Sequence, residues 1–269
     1  MQHRLPILAV TLLLAGSVAS VQAQELQVMP ADGTQAATMI NHPRVIRDPG
    51  NYRLARSLQS DAARTIIQIE ASDVTLDLGG FTLTGPGSRQ GIGISVVGAS
   101  NVKIFNGHIQ RLGIGISTEG ATNVVIEDLQ IDGIDSGGAP PDVEIGVLLV
   151  NTRGARVMNN VVTNTFLGIF VRGDGSSGNR IYGNLLTGGD NGELAICYNP
   201  APGSSVGGPH GDLVTHNSVA RFRRGLSLSP DSTGNVVREN TLAYFDIGIQ
   251  EGTADSNLLL ANDTIQISR

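Results

Sequence analysis

Short strand-like stretches that recur every 22 to 33 residues or so constrain this chain more than any other feature. "NVKIFNGHI" (101–109) returns as "NVVIEDLQI" (123–131), "ARVMNNVV" (155–162), "NRIYGNLL" (179–186), "DLVTHNSV" (212–219) and "NVVRENTL" (235–242). An earlier copy is "DVTLDLGGFTL" (73–83), and a later one is "NLLLANDTI" (257–265). A second motif follows most copies: "GIGIS" (91–95 and 113–117), "IGVLL" (145–149), "LGIFV" (167–171), "LAICY" (194–198), "GLSLS" (225–229) and "IGIQ" (247–250). Each unit reads as strand, bend, strand, loop, third strand, loop.

A strand of three or four residues cannot bury an apolar face alone. Stacked on the equivalent strand of the next unit it can. The pattern therefore predicts an all-β solenoid of three parallel sheets around a narrow core, rising about 4.8 Å per coil. A leucine-rich repeat has a similar period but needs a helix or its equivalent in each unit, and no 3.6-residue apolar pattern is present. Asn160, Asn184, Asn217 and Asn240 share one column at the bend, with Gly107 above them. Asn and Gly tolerate the left-handed backbone region, so this column is expected to turn the chain. The Asn side chains are also expected to bond to one another from coil to coil.

These residues resemble the right-handed parallel β-helix family of pectate lyases, polygalacturonases and alginate-modifying enzymes. The resemblance covers residues 66–269 and implies about eight coils. The stretch "PGNYRLARSL…TIIQIEASDVTLDLGGFTLTG" resembles the opening segment of bacterial members, so 24–65 is expected to be an N-terminal extension and cap. Residues 1–23 have the plan of a secretory signal peptide. Arg4 supplies positive charge, Leu5 to Val21 is apolar, and Val21-Gln22-Ala23 offers small residues for cleavage. The mature chain is then expected to be secreted or periplasmic, with no membrane span, and to act as a monomer.

Composition narrows the partners. A formal net charge of -6 and a pI near 5.3 argue against nucleic acid. Lys103 is the only lysine, so nearly all positive charge is arginine, which suits planar bidentate partners such as carboxylates. The single cysteine, Cys197, excludes an internal disulfide framework. The histidines show no zinc-like spacing, and "GIGIS" opens no helix that would make it a phosphate loop.

The β-helix resemblance implies a substrate site on the third-strand sheet, beside the long loops. Alternation along those strands predicts that Ile114, Ile116, Leu167, Ile169, Leu194 and Ile196 point inward. Gly115, Gly146, Gly168, Ala195, Ser227 and Gly248 would then form an outward groove. Ser117, Leu148, Phe170, Cys197, Ser229 and Gln250 would line the next outward row. Glu144, Phe166, Glu193, Gly225 and Asp246 are expected to face outward just before these strands. The same edge is expected to carry Arg89, Arg111, Arg172, Arg221, Arg223 and Arg224, with Asp132, Asp135, Asp142 and Asp190 on loops.

Acids interleaved with arginines suit two chemistries. In β-elimination or epimerisation of an acidic polysaccharide, Arg224, Arg172 and Glu193 would be catalytic. Arg221, Arg223, Arg111, Phe170, Glu144 and Asp246 would bind substrate, and Asp190 with Glu193 would hold a Ca²⁺. In inverting glycoside hydrolysis, two carboxylates would act across the two-coil gap. The alternative to both is a non-catalytic glycan-binding or scaffold protein. The Asp-Asp pair and Arg-x-Lys of polygalacturonases are missing, as is the Asp-Pro-His-Asp of mannuronan epimerases, to which "GGPHGD" (207–212) is a distant echo; the chain has no Trp for sugar stacking. The resemblance thus specifies a fold rather than a reaction.

Overall fold

The computed structural model describes residues 36–61, 64–87, 90–133, 144–199, 208–252 and 256–265. The expected signal peptide lies outside them, as do Arg89, Asp135 and Asp142. Every described strand pairs in parallel with its neighbours. The strands form a right-handed parallel β-helix. Eight complete coils run from Gly50–Leu54 to Ile247–Glu251. Parallel pairing starts earlier, where Thr38–Ile40 joins Gly50–Leu54, so stacked strands reach back into the stretch 24–65. Two of the three strand columns merge into one 17-stranded sheet, because Ser100–Gln110 and Thr122–Asp132 run unbroken through the bend. The third column is a separate 9-stranded sheet.

Like residues stack in the core because like positions are in register. Leu76, Ile104, Ile126, Val157, Ile181, Val214 and Val237 form one fully buried column. Leu83, Ile109, Ile131, Val162, Leu186, Val219 and Leu242 form another. Each such side chain contributes roughly 1.5–3 kcal/mol by leaving water. The stack loosens at its last turn, where Leu258, Leu259, Leu260 and Ile265 are exposed.

The asparagine ladder is present. The Asn160 amide donates to Asn184 Oδ1 at 3.0 Å, Asn184 to Asn217 at 2.9 Å, Asn217 to Asn240 at 2.9 Å, and Asn240 to Asn262 at 2.9 Å. Each of these four also donates to a carbonyl of the coil before it, as Asn184 does to Val157 at 2.8 Å. The turning itself is done one residue earlier than expected. Asn159, Gly183, His216 and Glu239 have φ of 55°, 66°, 56° and 56°. The ladder residues thus supply amides, and their predecessors supply the left-handed backbone.

A second ladder occupies another corner. Asn179, Asp212, Asn235 and Asn257 are its rungs. Asp212 stands where its neighbours carry an amide. Its two oxygens accept from the backbone and side-chain N–H groups of Asn179 at 2.7 and 3.2 Å. Asp212 is 1% exposed. Burial pushes its carboxyl up to about 6, against the opposing pull of the Asn179 hydrogen bonds. The buried Tyr198 hydroxyl neighbours this carboxylate but finds no partner at hydrogen-bond geometry.

Candidate functional site

The corner leading into the 9-stranded sheet brings acids and arginines together over three adjacent rungs. Phe222, fully buried, anchors it. Gly188 and Gly192 lie against the Phe222 ring, and a Cβ on either would come within 3.1 Å of it. The anchor leaves Arg221 and Arg223 facing solvent on either side of Phe222, and Arg224 opens the strand Arg224–Leu228. Glu193 immediately precedes the neighbouring strand Leu194–Asn199. Its carbonyl accepts the Arg224 N–H at 2.8 Å, which fixes the two residues side by side.

The side chains follow this frame. Arg223 Nη1 donates to both Glu193 oxygens at 3.1 and 3.2 Å. Arg224 Nε lies 3.7 Å from Glu193 Oε1; it is buried and makes no hydrogen bond. On the next rung Asp246 approaches Arg223 Nε at 3.8 Å. Arg221 Nη2 donates to Asp190 at 3.3 Å. Gly189, Asp190, Arg221 and Tyr244 line a cavity of about 420 Å³. Arg221 and Tyr244 both have left-handed backbones, φ 61° and 57°. For non-glycine residues that conformation costs roughly 1–2 kcal/mol each.

Several expected members lie elsewhere. Arg172 pairs in register with Asn199, six residues beyond Glu193. At about 3.3 Å per residue it sits some 20 Å away, at the far end of the strand. Phe170 pairs with Leu148 and Cys197 in mid-sheet. Arg111 lines a different cavity, of about 500 Å³, with Gln59, Asp61 and Thr84. Glu144 was expected to face outward but is buried, at 4% exposed. The residue level with Glu193 on the next rung is Arg223 rather than Gly225.

The expected outward groove is in fact an inward row. A Cβ on Gly115 would lie 2.7 Å from Ile131, on Gly146 2.5 Å from Val162, and on Gly168 2.8 Å from Leu186. These glycines are small because the aliphatic column of the opposite sheet presses on them. Ala195 in the same row is fully buried. The outward rows are instead Ile92, Ile114, Ile145, Leu167, Leu194 and Arg224, and then Ser95, Ser117, Leu148, Phe170, Cys197 and Ser227. Ile114, Leu167 and Leu194 stay outside the core cluster. Ser227, not Ser229, takes the place beside Cys197. Burial pushes the Cys197 thiol up to about 12, which suits a packing residue rather than a nucleophile.

Among known proteins, the family described as "Periplasmic copper-binding protein (NosD)" matches residues 77–266. The chain belongs to the NosD family. No curated protein matches it. Solved structures similar to this NosD-family chain include the Dettilon tailspike protein, 16% identical, with a TM-score of 0.59 over 86% of this chain and 55% of that one. A lacto-N-biosidase from Eubacterium ramulus is 10% identical, with a TM-score of 0.56 over 87% and 46%. An exopolygalacturonase from Thermotoga maritima is 8% identical, with a TM-score of 0.51 over 80% and 55%. At these identities the likeness shows the fold, and this chain spans about half the length of each. No helix among the described residues is long and apolar enough to cross a membrane.

Among the described residues, metal-ligating groups are dispersed. His216 pairs with Glu239 at 3.1 Å, and His210 lies against the Gly208 carbonyl at 3.3 Å. Among the described residues, no three His, Cys, Asp or Glu side chains converge.

Proposed function

We propose that this protein acts on, or binds, an acidic glycan in the periplasm or outside the cell. Glu193, seated between Arg223 and Arg224 at an open corner of the 9-stranded sheet, carries the proposal. The two guanidiniums are placed to neutralise a uronate carboxylate. That neutralisation acidifies the adjacent C–H, and Glu193 is the nearest base to receive its proton. The C–H pair then forms the new double bond as the glycosidic oxygen leaves with a proton, in a lyase. In an epimerase a proton returns to the opposite face. Arg172 has no part in this step, because of its distance. Arg221, Asp190 and Asp246 extend the subsite along the rungs.

Arg223 lies between Glu193 and Asp246 and contacts both. It fills the space an inverting hydrolase needs for its water, so hydrolysis is the weaker chemistry here. A specific observation favours the non-catalytic alternative. Arg221, Arg223 and Arg224 already face protein carboxylates, as they would in a binding surface that releases its own acids to ligand. Copper, named in the family's description, is no part of the proposal: soft metals want clustered His, Cys or Met ligands, and Cys197 is buried and held as a thiol. Ca²⁺ on Asp190 and Glu193 stays a proposal, with no third acid beside them among the described residues.

The test is incubation with pectate, alginate and hyaluronan, with and without Ca²⁺. New ultraviolet absorbance from a double bond, lost in Glu193→Gln, supports the lyase. Binding without turnover supports the alternative. Neither turnover nor binding on any acidic glycan overturns the proposal.

A further inference from the structure

A second surface with the chemistry of a ligand site lies on the 17-stranded sheet. Arg156 and Arg180 face outward, directly opposite each other on adjacent rungs. Like charges so placed repel, about 4.8 Å apart through the backbone. Among the described residues neither has a carboxylate within ion-pair distance, in contrast to Arg221, Arg223 and Arg224. Two rungs before Arg156, in the same row, Lys103 adds a third cation, which also reaches Glu127 at 2.5 Å.

The row two residues along each strand is different in kind. It carries Phe105, Glu127, Met158 and Tyr182 in register, all half-buried. Lys103 Nζ sits 4.8 Å from the Phe105 ring centre, and the Tyr182 hydroxyl donates to Met158 Sδ. The corner on the other side of the cations is cut away. The left-handed column there runs Asn101, Asn123, Gly154, Gly178, and its two glycines leave no side chain beside Arg156 and Arg180. The result is a trough of about 590 Å³, lined by Asn101, Lys103, Asn123, Arg156, Gly178 and Arg180 among others.

We propose that this trough is a second, separate binding surface for an acidic glycan, with Arg156 and Arg180 receiving its carboxylate or sulfate groups and the Tyr182 ring, outside the trough on the far side of the arginines, meeting its sugar face. It borrows the ligand class from the proposed function but not its site, since it lies on another sheet. Guanidinium forks suit planar anions, and an adjacent ring offers a flat apolar face to a sugar. A relief of the Arg156–Arg180 repulsion on binding supplies part of the driving force.

Affinity electrophoresis in gels containing polygalacturonate or heparin tests it. Arg156→Gln with Arg180→Gln should weaken retardation about tenfold or more, as loss of two charge-assisted contacts would. The double variant should melt no lower than the parent, because removing like-charge repulsion does not cost stability. The loss caused by changing Arg156 and Arg180 should be the same in the Glu193→Gln background as in the parent, so failure of the first site and of this one are told apart. Tyr182→Ala should weaken binding to the glycans but not to inorganic polyphosphate. Unchanged retardation in the arginine double variant overturns the proposal. Equal competition by a single-stranded oligonucleotide of matched charge overturns the glycan assignment.

Discussion

Asp212→Asn is expected to stabilise the protein at neutral pH and to leave it unaltered in mild acid. The carboxyl sits in a ladder whose other rungs, Asn179, Asn235 and Asn257, are amides. Burial raises its folded-state value from 3.8 to about 6. The proton therefore favours the folded protein. That stability is complete below about pH 4 and is lost as the pH rises through about 6. About two units at 1.36 kcal/mol each make this about 3 kcal/mol, absent by pH 8. An asparagine at this rung never ionises, so the variant keeps what the parent loses. Urea melts of both proteins at intervals from pH 4 to 8 read the difference directly. The two curves should meet near pH 4 and separate through pH 6. At pH 8 they should differ by up to about 3 kcal/mol, roughly 6–12 °C in melting temperature for a domain of this size. A difference independent of pH, or none at pH 8, refutes the account of Asp212 as an ionisable rung.

The asparagine rungs themselves should be costly to remove. Asn184→Ala or Asn217→Ala strands buried partners on two coils and is expected to lose about 1–3 kcal/mol in denaturant melts. Gly168→Val should overpack the core by about 1–3 kcal/mol, since even a Cβ there meets the Ala195 carbonyl at 2.5 Å; a neutral melt would restore the outward groove. Glu193→Gln breaks a half-exposed ion pair worth about 0–1 kcal/mol, so any lost turnover or glycan binding should come without unfolding. Cys197 should resist iodoacetamide at pH 8 in the native protein and react on denaturation, as mass spectrometry would show.

The stacking was legible because it depends on identity at fixed positions. Four asparagines aligned in sequence are four rungs in space. The grouping of Glu193 with the "RFRR" segment was legible for the same reason, since neighbouring coils place equal positions side by side. Facing was not legible in the third strand. Gly115 and Ile116 are both buried, so strict alternation fails there and every row after it shifts. Small residues beside a groove and small residues under a neighbouring aliphatic column look alike in sequence; only Ile131, Val162 and Leu186 across the core separate them. Arg172 lies on the same sheet as Glu193 but at the opposite end of the strand, and the order of residues at a sheet edge does not show which end a side chain occupies. The second ladder has its own sequence signal: "SGNRI", "HGDLV" and "TGNVV" share a glycine followed by Asn or Asp. Arg156 and Arg180 are ordinary exposed arginines until register sets one against the other.

The ladder bonds hold constant length while the chain between them does not. Successive rungs are 24, 33, 23 and 22 residues apart, yet each amide meets the next at 2.9–3.0 Å. The strands on either side of the extra residues keep the same register. Lengthening a loop twofold costs only about 0.6 kcal/mol in closure entropy. A designer could therefore graft a recognition loop between Tyr182 and Thr215, or exchange one coil's loop for another's, and keep the rungs on either side unchanged. Evolution has the same freedom: what lies over the sheet can diversify quickly while the asparagines hold the coils in step.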